Sequence, residues 1–342
     1  MRTVYSDRHK AYRPKFDIVN GVVTETASPW RNAEIVLDAL RRDLNAEILT
    51  PADHGRAPIG WVHDPAYVAF LETAWDEWVR AYGDAGEALP LANVQRGMRQ
   101  AVPETIEGKL SYYAFDTGTP IGPGTWEAAY WSAQVAVDAA RRLAADREAV
   151  FALSRPGGHH AGYDYYGGYC FLATESLAIE TLCREGVGKI AYLDVDYHHC
   201  NGTQAIFYER DDVLTVSIHC DPRHDYPYFS GFADETGTRR GAGCNLNIPL
   251  PPGTTWSEFD PALARAQQAI TDFGADALVV LAGVDTFEKD SICKFELVLD
   301  DFPGIGRAIA DLDLPTVFVK GGGYCEEGLD RCVTAMLGGY MA

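Results

Sequence analysis

Five segments of the chain, 149–153, 189–195, 213–219, 277–282 and 316–320, are apolar, rich in β-branched residues and of strand length. Residues 3–6 read as a further strand. Amphipathic patterns of helix length lie at 65–82, 124–145, 174–185, 256–273, 303–311 and 326–337. Ser28 followed by Pro29 reads as an N-cap and first-turn proline opening another helix to about 44. Strands that are apolar at every position are buried on both faces. Their alternation with helices predicts an α/β fold, a parallel sheet covered on both sides. Ligands of such open sheets bind beyond the carboxyl ends of the strands.

The polar residues obey that rule. "RPGGHHAG" follows the strand at 149–153, and "DVDYHH" closes the one at 189–195. "CDP" follows 213–219, "GVDTF" follows 277–282 and "GGGY" follows 316–320. Five unrelated polar clusters therefore fall at one edge of one sheet. That coincidence is more informative than any of the clusters alone.

Asp196 and His198 are two residues apart. In an extended segment, positions i and i+2 point the same way, so both reach one point. Asp285 ends another strand. Two carboxylates and one imidazole form a three-ligand set with an open position, the pattern of a catalytic metal rather than a closed structural one. Taken alone, Asp285 reads as a turn aspartate. His159 and His160 follow a loop nearly free of side chains and suit acid–base work on a water and a leaving amine. Asp194 can orient one of these histidines and Asn201 the other. A charged partner keeps its histidine the more basic of the two. Tyr324 ends a run of three glycines, which lets its hydroxyl approach as an oxyanion donor, or else it is a core tyrosine after a turn.

Composition narrows the partners. The chain has 342 residues, 47% of them hydrophobic, and shows no repeat or linker, which suits one large domain. No apolar run approaches the roughly 20 residues of a membrane helix, and the first residues lack a secretory signal, so a cytoplasmic location is expected. A formal net charge of −20 argues against nucleic acid; it suits a small cationic substrate, or equally serves only to keep the protein soluble. Of the 8 cysteines, none forms a C-x-x-C pair, and Cys170, Cys183, Cys293 and Cys332 read as small buried hydrophobes. Cys200 and Cys220 stand beside site histidines. They are expected to be inert thiols.

Together, "RPGGHHAG", "GGYCF", "LDVDYHHCNGTQ", "SIHCDP", "GVDTF" and "GGGY" resemble the metal-dependent histone deacetylase superfamily. "YYAFDTGTPIGPGTWEAA" and "FYERDDV" are similar to its bacterial acetylpolyamine amidohydrolases. The resemblance spans essentially the whole chain, in order. It implies a single arginase-like α/β domain around an eight-stranded parallel sheet, and one zinc ion, with Fe2+ or Co2+ as substitutes, on Asp196, His198 and Asp285. It also implies His159 and His160 as the catalytic pair, with His160 the general base and acid, and Tyr324 as the oxyanion donor. A structural potassium ion is implied at Asp194, Asp196, His198, Ser217 and Ile218. A second is implied at Phe207, Arg210 and Val213, largely through carbonyls. Tyr169 and Tyr226 are implied as channel walls. A loop at about 83–123 is implied to narrow the channel and build a homodimer, with Glu107 and Asp116 as its acidic substrate contacts. The implied reaction is removal of an acetyl or other small acyl group from an acylated polyamine or similar amine. The alternatives are a non-catalytic metal-stabilised polyamine or partner binder, and a ureohydrolase-like enzyme of the same fold. The latter generally needs an extra aspartate pair that "GVDTF" lacks.

Overall fold

The structure, a computed structural model, describes residues 1–19, 22–84, 86–94 and 99–342. Residues 85 and 95–98 of the expected loop at 83–123 lie outside the described residues. In chain order the strands are β1 (Arg2–Val4), β2 (Phe16–Val19), β3 (Val22–Glu25), β4 (Glu47–Leu49), β5 (Val150–Ala152), β6 (Ile190–Asp194), β7 (Val213–Cys220), β8 (Asn245–Leu250), β9 (Ala277–Ala282) and β10 (Thr316–Lys320). The α-helices are α1 (Arg31–Leu44), α2 (Pro65–Tyr82), α3 (Ile106–Tyr113), α4 (Thr125–Asp146), α5 (Thr174–Arg184), α6 (Asn201–Phe207), α7 (Trp256–Phe273), α8 (Phe302–Ala310) and α9 (Leu329–Met341).

Among the described residues, eight strands form one sheet in the order β4-β1-β5-β10-β9-β6-β7-β8. Every pairing in it is parallel. Strands β2 and β3 pair separately as an antiparallel hairpin. The all-apolar strands have the expected consequence. On β6, Ala191 and Leu193 enter the core shared with α1, α7, α8 and α9. Ile190 and Tyr192 enter the opposite core, shared with α4 and α5. Each fully buried aliphatic or aromatic side chain contributes about 1.5–3 kcal/mol relative to exposure, so both layers hold the sheet. A third core joins α2, α3 and the middle of α4 through Tyr67, Phe70, Leu110 and Ala133. None of the described helices is long and apolar enough to cross a membrane.

One local expectation changes, and two elements escape the sequence reading. Helix α1 starts at Arg31, so Ser28 does not cap it; the Ser28 carbonyl instead accepts from Arg155 Nη2 at 2.8 Å. Strand β8 escapes the apolar criterion because Asn245 and Asn247 turn their amides to Gln204 Oε1, at 3.0 and 2.9 Å. It lies at the sheet edge, where its Pro249 is tolerated. Helix α6 carries a glycine and follows the polar cluster directly, so propensity alone does not reveal it.

Candidate active site

Strands β5, β10, β9, β6 and β7 are successive neighbours, so their carboxyl ends deliver the polar clusters to one place. After β5 come His159 and His160, whose ring centroids lie 3.9 Å apart. Asp194, the last residue of β6, accepts the Nδ1–H of His159 at 3.1 Å. It also accepts the Tyr192 hydroxyl at 2.7 Å and the Asp196 amide at 2.9 Å. His160 Nδ1 meets Asn201 Oδ1 at 2.7 Å. The pair thus has one charged and one neutral partner. Against its burial, the charges of Asp196 and Asp194 push His159 up to about 9. Burial, then the charges of His159 and His198, push His160 well below the usual histidine range.

Asp196, His198 and Asp285 converge as expected. His198 Nδ1 lies 3.3 Å from Asp196 Oδ1 and 3.2 Å from Asp285 Oδ2. Both aspartates are fully buried. The Gly322 amide fixes the other Asp196 oxygen at 2.6 Å, and the Tyr197 amide fixes Asp285 Oδ1 at 2.8 Å. Burial and the charge of Asp196 push Asp285 up to about 7. Against its own burial, His198 is pushed up to about 10 by its bonds to the two carboxylates. Three buried groups therefore share protons that a divalent cation would displace, and this donor set fits one.

One neighbour departs from expectation. Ligand-capable atoms of His198, Asp285 and Cys293 lie within 4.8 Å of one another. Cys293 is thus no mere apolar filler; it stands against the metal-ligand candidates. Cys200 and Cys220, the two cysteines that stood out in the sequence, are buried in the two opposite cores. All eight cysteines are free thiols.

A cleft of about 380 Å³ opens onto this centre, with His160, His198, Tyr169, Tyr226 and Tyr324 among its walls. The Tyr226 ring stands edge-on to His160, with centroids 5.0 Å apart at 89°. Phe115 packs on Tyr226 at 5.7 Å. Gly168 has φ +56°, and a Cβ there would meet His160 Cδ2 at 2.2 Å, so only glycine lets this loop pass the histidine. Asp116 lines the cleft too, but its oxygens are engaged. Oδ2 accepts from the Gly168 amide at 2.6 Å and the Tyr226 hydroxyl at 3.0 Å, and Oδ1 from the Gly118 amide at 3.1 Å. Its evident task is to hold the two walls in place. Glu107 does not join the described cleft residues: it occupies the first turn of α3, whose Ile106, Leu110 and Tyr113 face the core. The sequence reading missed Asp17, a buried carboxylate of the hairpin that accepts from the Ala27 amide at 2.6 Å and, behind burial, helps push the Tyr169 hydroxyl up, and Asp225, which lines the cleft and accepts from Tyr197 at 2.7 Å and Lys294 at 2.8 Å. No local pattern marks either one.

The remaining expected residues cluster as two groups. Asp194 and Ser217 are register partners on β6 and β7, with Ile218 next. Phe207 closes α6, its carbonyl accepts from the Arg210 amide at 2.9 Å, and Val213 opens β7. The Arg210 side chain turns away to Glu180 and Asp212, each at 2.6 Å.

Comparison with known proteins decides the family. The histone deacetylase domain matches residues 26–340. The chain belongs to the histone deacetylase family. Within it, the chain is 44% identical to acetylpolyamine amidohydrolase 2 of Pseudomonas aeruginosa, over 99% of this chain and 98% of that protein. It is 44% identical to the acetylpolyamine amidohydrolase of Mycoplana ramosa, over 95% of each. Its fold matches the solved acetylpolyamine aminohydrolase of Burkholderia pseudomallei with a TM-score of 0.96 and 35% identity, over 100% of this chain and 99% of that one. The chain therefore lies in the acetylpolyamine amidohydrolase branch of the family, and it is a hydrolase of the deacetylase type.

Proposed function

We propose that the protein removes acetyl, or another small acyl group, from acetylated polyamines or similar small N-acyl amines. The observation that carries this reading is the histidine pair with unlike partners beside the convergent Asp196, His198 and Asp285. Those three residues would hold a zinc ion, for which Fe2+ or Co2+ can substitute. When bound, the ion supplies Lewis acidity for hydrolysis of the amide.

The chain's own groups do the rest. His160 is kept neutral by burial and by its charged neighbours, and its Nδ1–H is committed to Asn201. Its Nε2 lone pair is therefore free to take a proton from water and return it to the leaving amine. His159, held charged against burial by Asp196 and Asp194, adds to burial in keeping His160 from ionising. Burial keeps the Tyr324 hydroxyl protonated, so it donates to the carbonyl oxygen as that atom gains charge. Aromatic walls with Asp116 and Asp225 nearby suit a slim cation. Asp194, Asp196, His198, Ser217 and Ile218, and separately Phe207, Arg210 and Val213, are read as potassium sites on the family resemblance. A homodimer and a cytoplasmic location are read on the same ground.

The test is hydrolysis of acetylated diamines against acetyl-lysine peptides, with metal content measured on the same preparation. The diamines should be the faster substrates. His160→Ala and Tyr324→Phe should retain metal and slow turnover on the order of 100-fold or more. Equal rates on both substrates, or wild-type kcat in Tyr324→Phe, would count against the reading.

A further inference from the structure

Asp116 shares the cleft with a second carboxylate. Asp225 lines it one residue before Tyr226, whose ring stands edge-on to His160. The Tyr226 amide fixes Asp225 Oδ1 at 2.9 Å, and the Tyr197 hydroxyl fixes Oδ2 at 2.7 Å. The Tyr197 ring in turn packs edge-on against His198, with centroids 5.0 Å apart. Asp225 thus stands one tyrosine ring away from a metal-ligand candidate, on the wall that the far end of a short aliphatic chain passes.

The two cleft carboxylates differ in their partners. Asp116 accepts from uncharged groups: the Gly168 and Gly118 amides, the Tyr226 hydroxyl and, at 3.2 Å, the Thr119 hydroxyl. Asp225 holds a cation, with Lys294 Nζ 2.8 Å from its Oδ2. The Asp225 side chain is 13% exposed and that of Lys294 is 57% exposed. Lys294 belongs to the loop between β9 and α8 and is not among the described residues that line the cleft. Its Nζ is a primary alkylammonium, the group that a singly acylated diamine carries at its free end. The carboxylate is therefore built to hold that group, and the chain itself supplies one from outside.

An ion pair with so exposed a partner contributes little, because the lysine is nearly as well solvated in water. An ammonium that arrives along the cleft meets a carboxylate already fixed in place and forms charge-assisted hydrogen bonds with it. The exchange keeps the part-buried carboxylate paired throughout, so no desolvated charge stands alone. A neutral chain end cannot make that exchange.

We propose that Asp225 receives the free ammonium of the substrate in exchange for Lys294, so that this ion pair selects for a cationic chain end. The proposal rests on the amidohydrolase reading for its ligand. Lys294 acts as a built-in competitor: it keeps Asp225 neutralised until a chain of the same chemistry replaces it.

The probes are N-acetyl-1,5-diaminopentane and N-acetylhexylamine, which carries a methyl group in place of the ammonium. KM for each is measured on zinc-loaded wild type, Asp225→Asn, Lys294→Met and the double variant. The ratio of the two values, cation over neutral, should rise about tenfold in Asp225→Asn, the scale of a hydrogen bond to a charged group. It should fall about two- to fivefold in Lys294→Met, the scale of an exposed ion pair. In the double variant the Lys294→Met gain should vanish, since the two residues act on one charge. An unmoved ratio in Asp225→Asn would overturn the proposal, and so would a Lys294→Met gain that survives without Asp225. Should Asp225→Asn lose zinc or fail to fold, Lys294→Met still decides, because its side chain lies at the surface: a ratio that stays or rises there overturns the proposal. Calorimetric binding of the same two amides stands apart from turnover. A wild type that hydrolyses neither amide, yet binds the cation and binds it more tightly in Lys294→Met, would sink the amidohydrolase reading and leave the ammonium site standing. A wild type that neither hydrolyses the amides nor prefers the cation would overturn both.

Discussion

At the scale of single residues, His159 and His160 are chemically identical and adjacent, yet they end on opposite sides of the usual histidine range. Against burial, the charges of Asp196 and Asp194 raise His159, while burial and then the charges of His159 and His198 lower His160; the Nδ1 partner is a carboxylate for the first and an amide for the second. Asn201→Asp would place a carboxylate against His160 as well. An opposite charge within hydrogen-bond distance raises a histidine pKa by about 1–3 units. Activity that needs neutral His160 would then be lost at higher pH than before. The acidic limb of the kcat/KM profile should move upward, and an unmoved limb would remove His160 from the base role. The ligand set makes a separate prediction. Asp285 is fully buried and within 3.2 Å of His198 Nδ1. Asp285→Ala should lose bound metal and activity together, measured by elemental analysis on the purified variant. Full metal occupancy there would show that the ion sits elsewhere.

At the scale of elements, the loop after β10 matters as much as the ligands. A Cβ on Gly322 would come within 2.4 Å of Asp285 Oδ2 and 2.7 Å of Asp196 Oδ2. Both carboxylates are held by backbone amides and cannot step aside cheaply. Gly322→Ala should therefore displace the carboxylates from their common focus. The expected outcome is strong loss of metal with the melting temperature within a few degrees of wild type, since the sheet cores are untouched. A variant with normal metal content would show that the loop yields. The hairpin β2–β3 and the segment around Asp116 act differently. Among the described residues they carry no ligand candidates; Asp116 braces Tyr226 and Gly168, Thr119 accepts from the Tyr169 amide at 3.1 Å, and the hairpin's Asp17 acts on Tyr169 by its charge.

At the scale of the whole molecule, a net charge of −20 surrounds a narrow aromatic cleft. Such a field concentrates small cations and accelerates their encounter. Added salt shortens the Debye length from about 10 Å at 0.1 M to about 3 Å at 1 M. KM for an acetylated diamine should thus rise with ionic strength while kcat stays nearly constant. A salt-independent KM would mean that local contacts, not the overall field, bring the substrate in.

The sheet was legible from local pattern, because full burial of a parallel strand writes itself as an unbroken apolar run. Strands β9 and β10 match their apolar runs residue for residue. The clustering of Asp196, His198, Asp285, His159, His160 and Tyr324 was equally legible, because parallel strands must end on the same edge. Short edge strands such as β4 and β8 were not, since half-exposed or amide-bearing strands carry no such run. Nor did the sequence by itself determine which groups meet. His160 finds Asn201 across 41 positions and His198 finds Asp285 across 87. The approach of Cys293 and the exclusion of Glu107 are of the same kind. Strand order and loop packing decide them, and these follow from the summed burial of both cores rather than from any local run of residues.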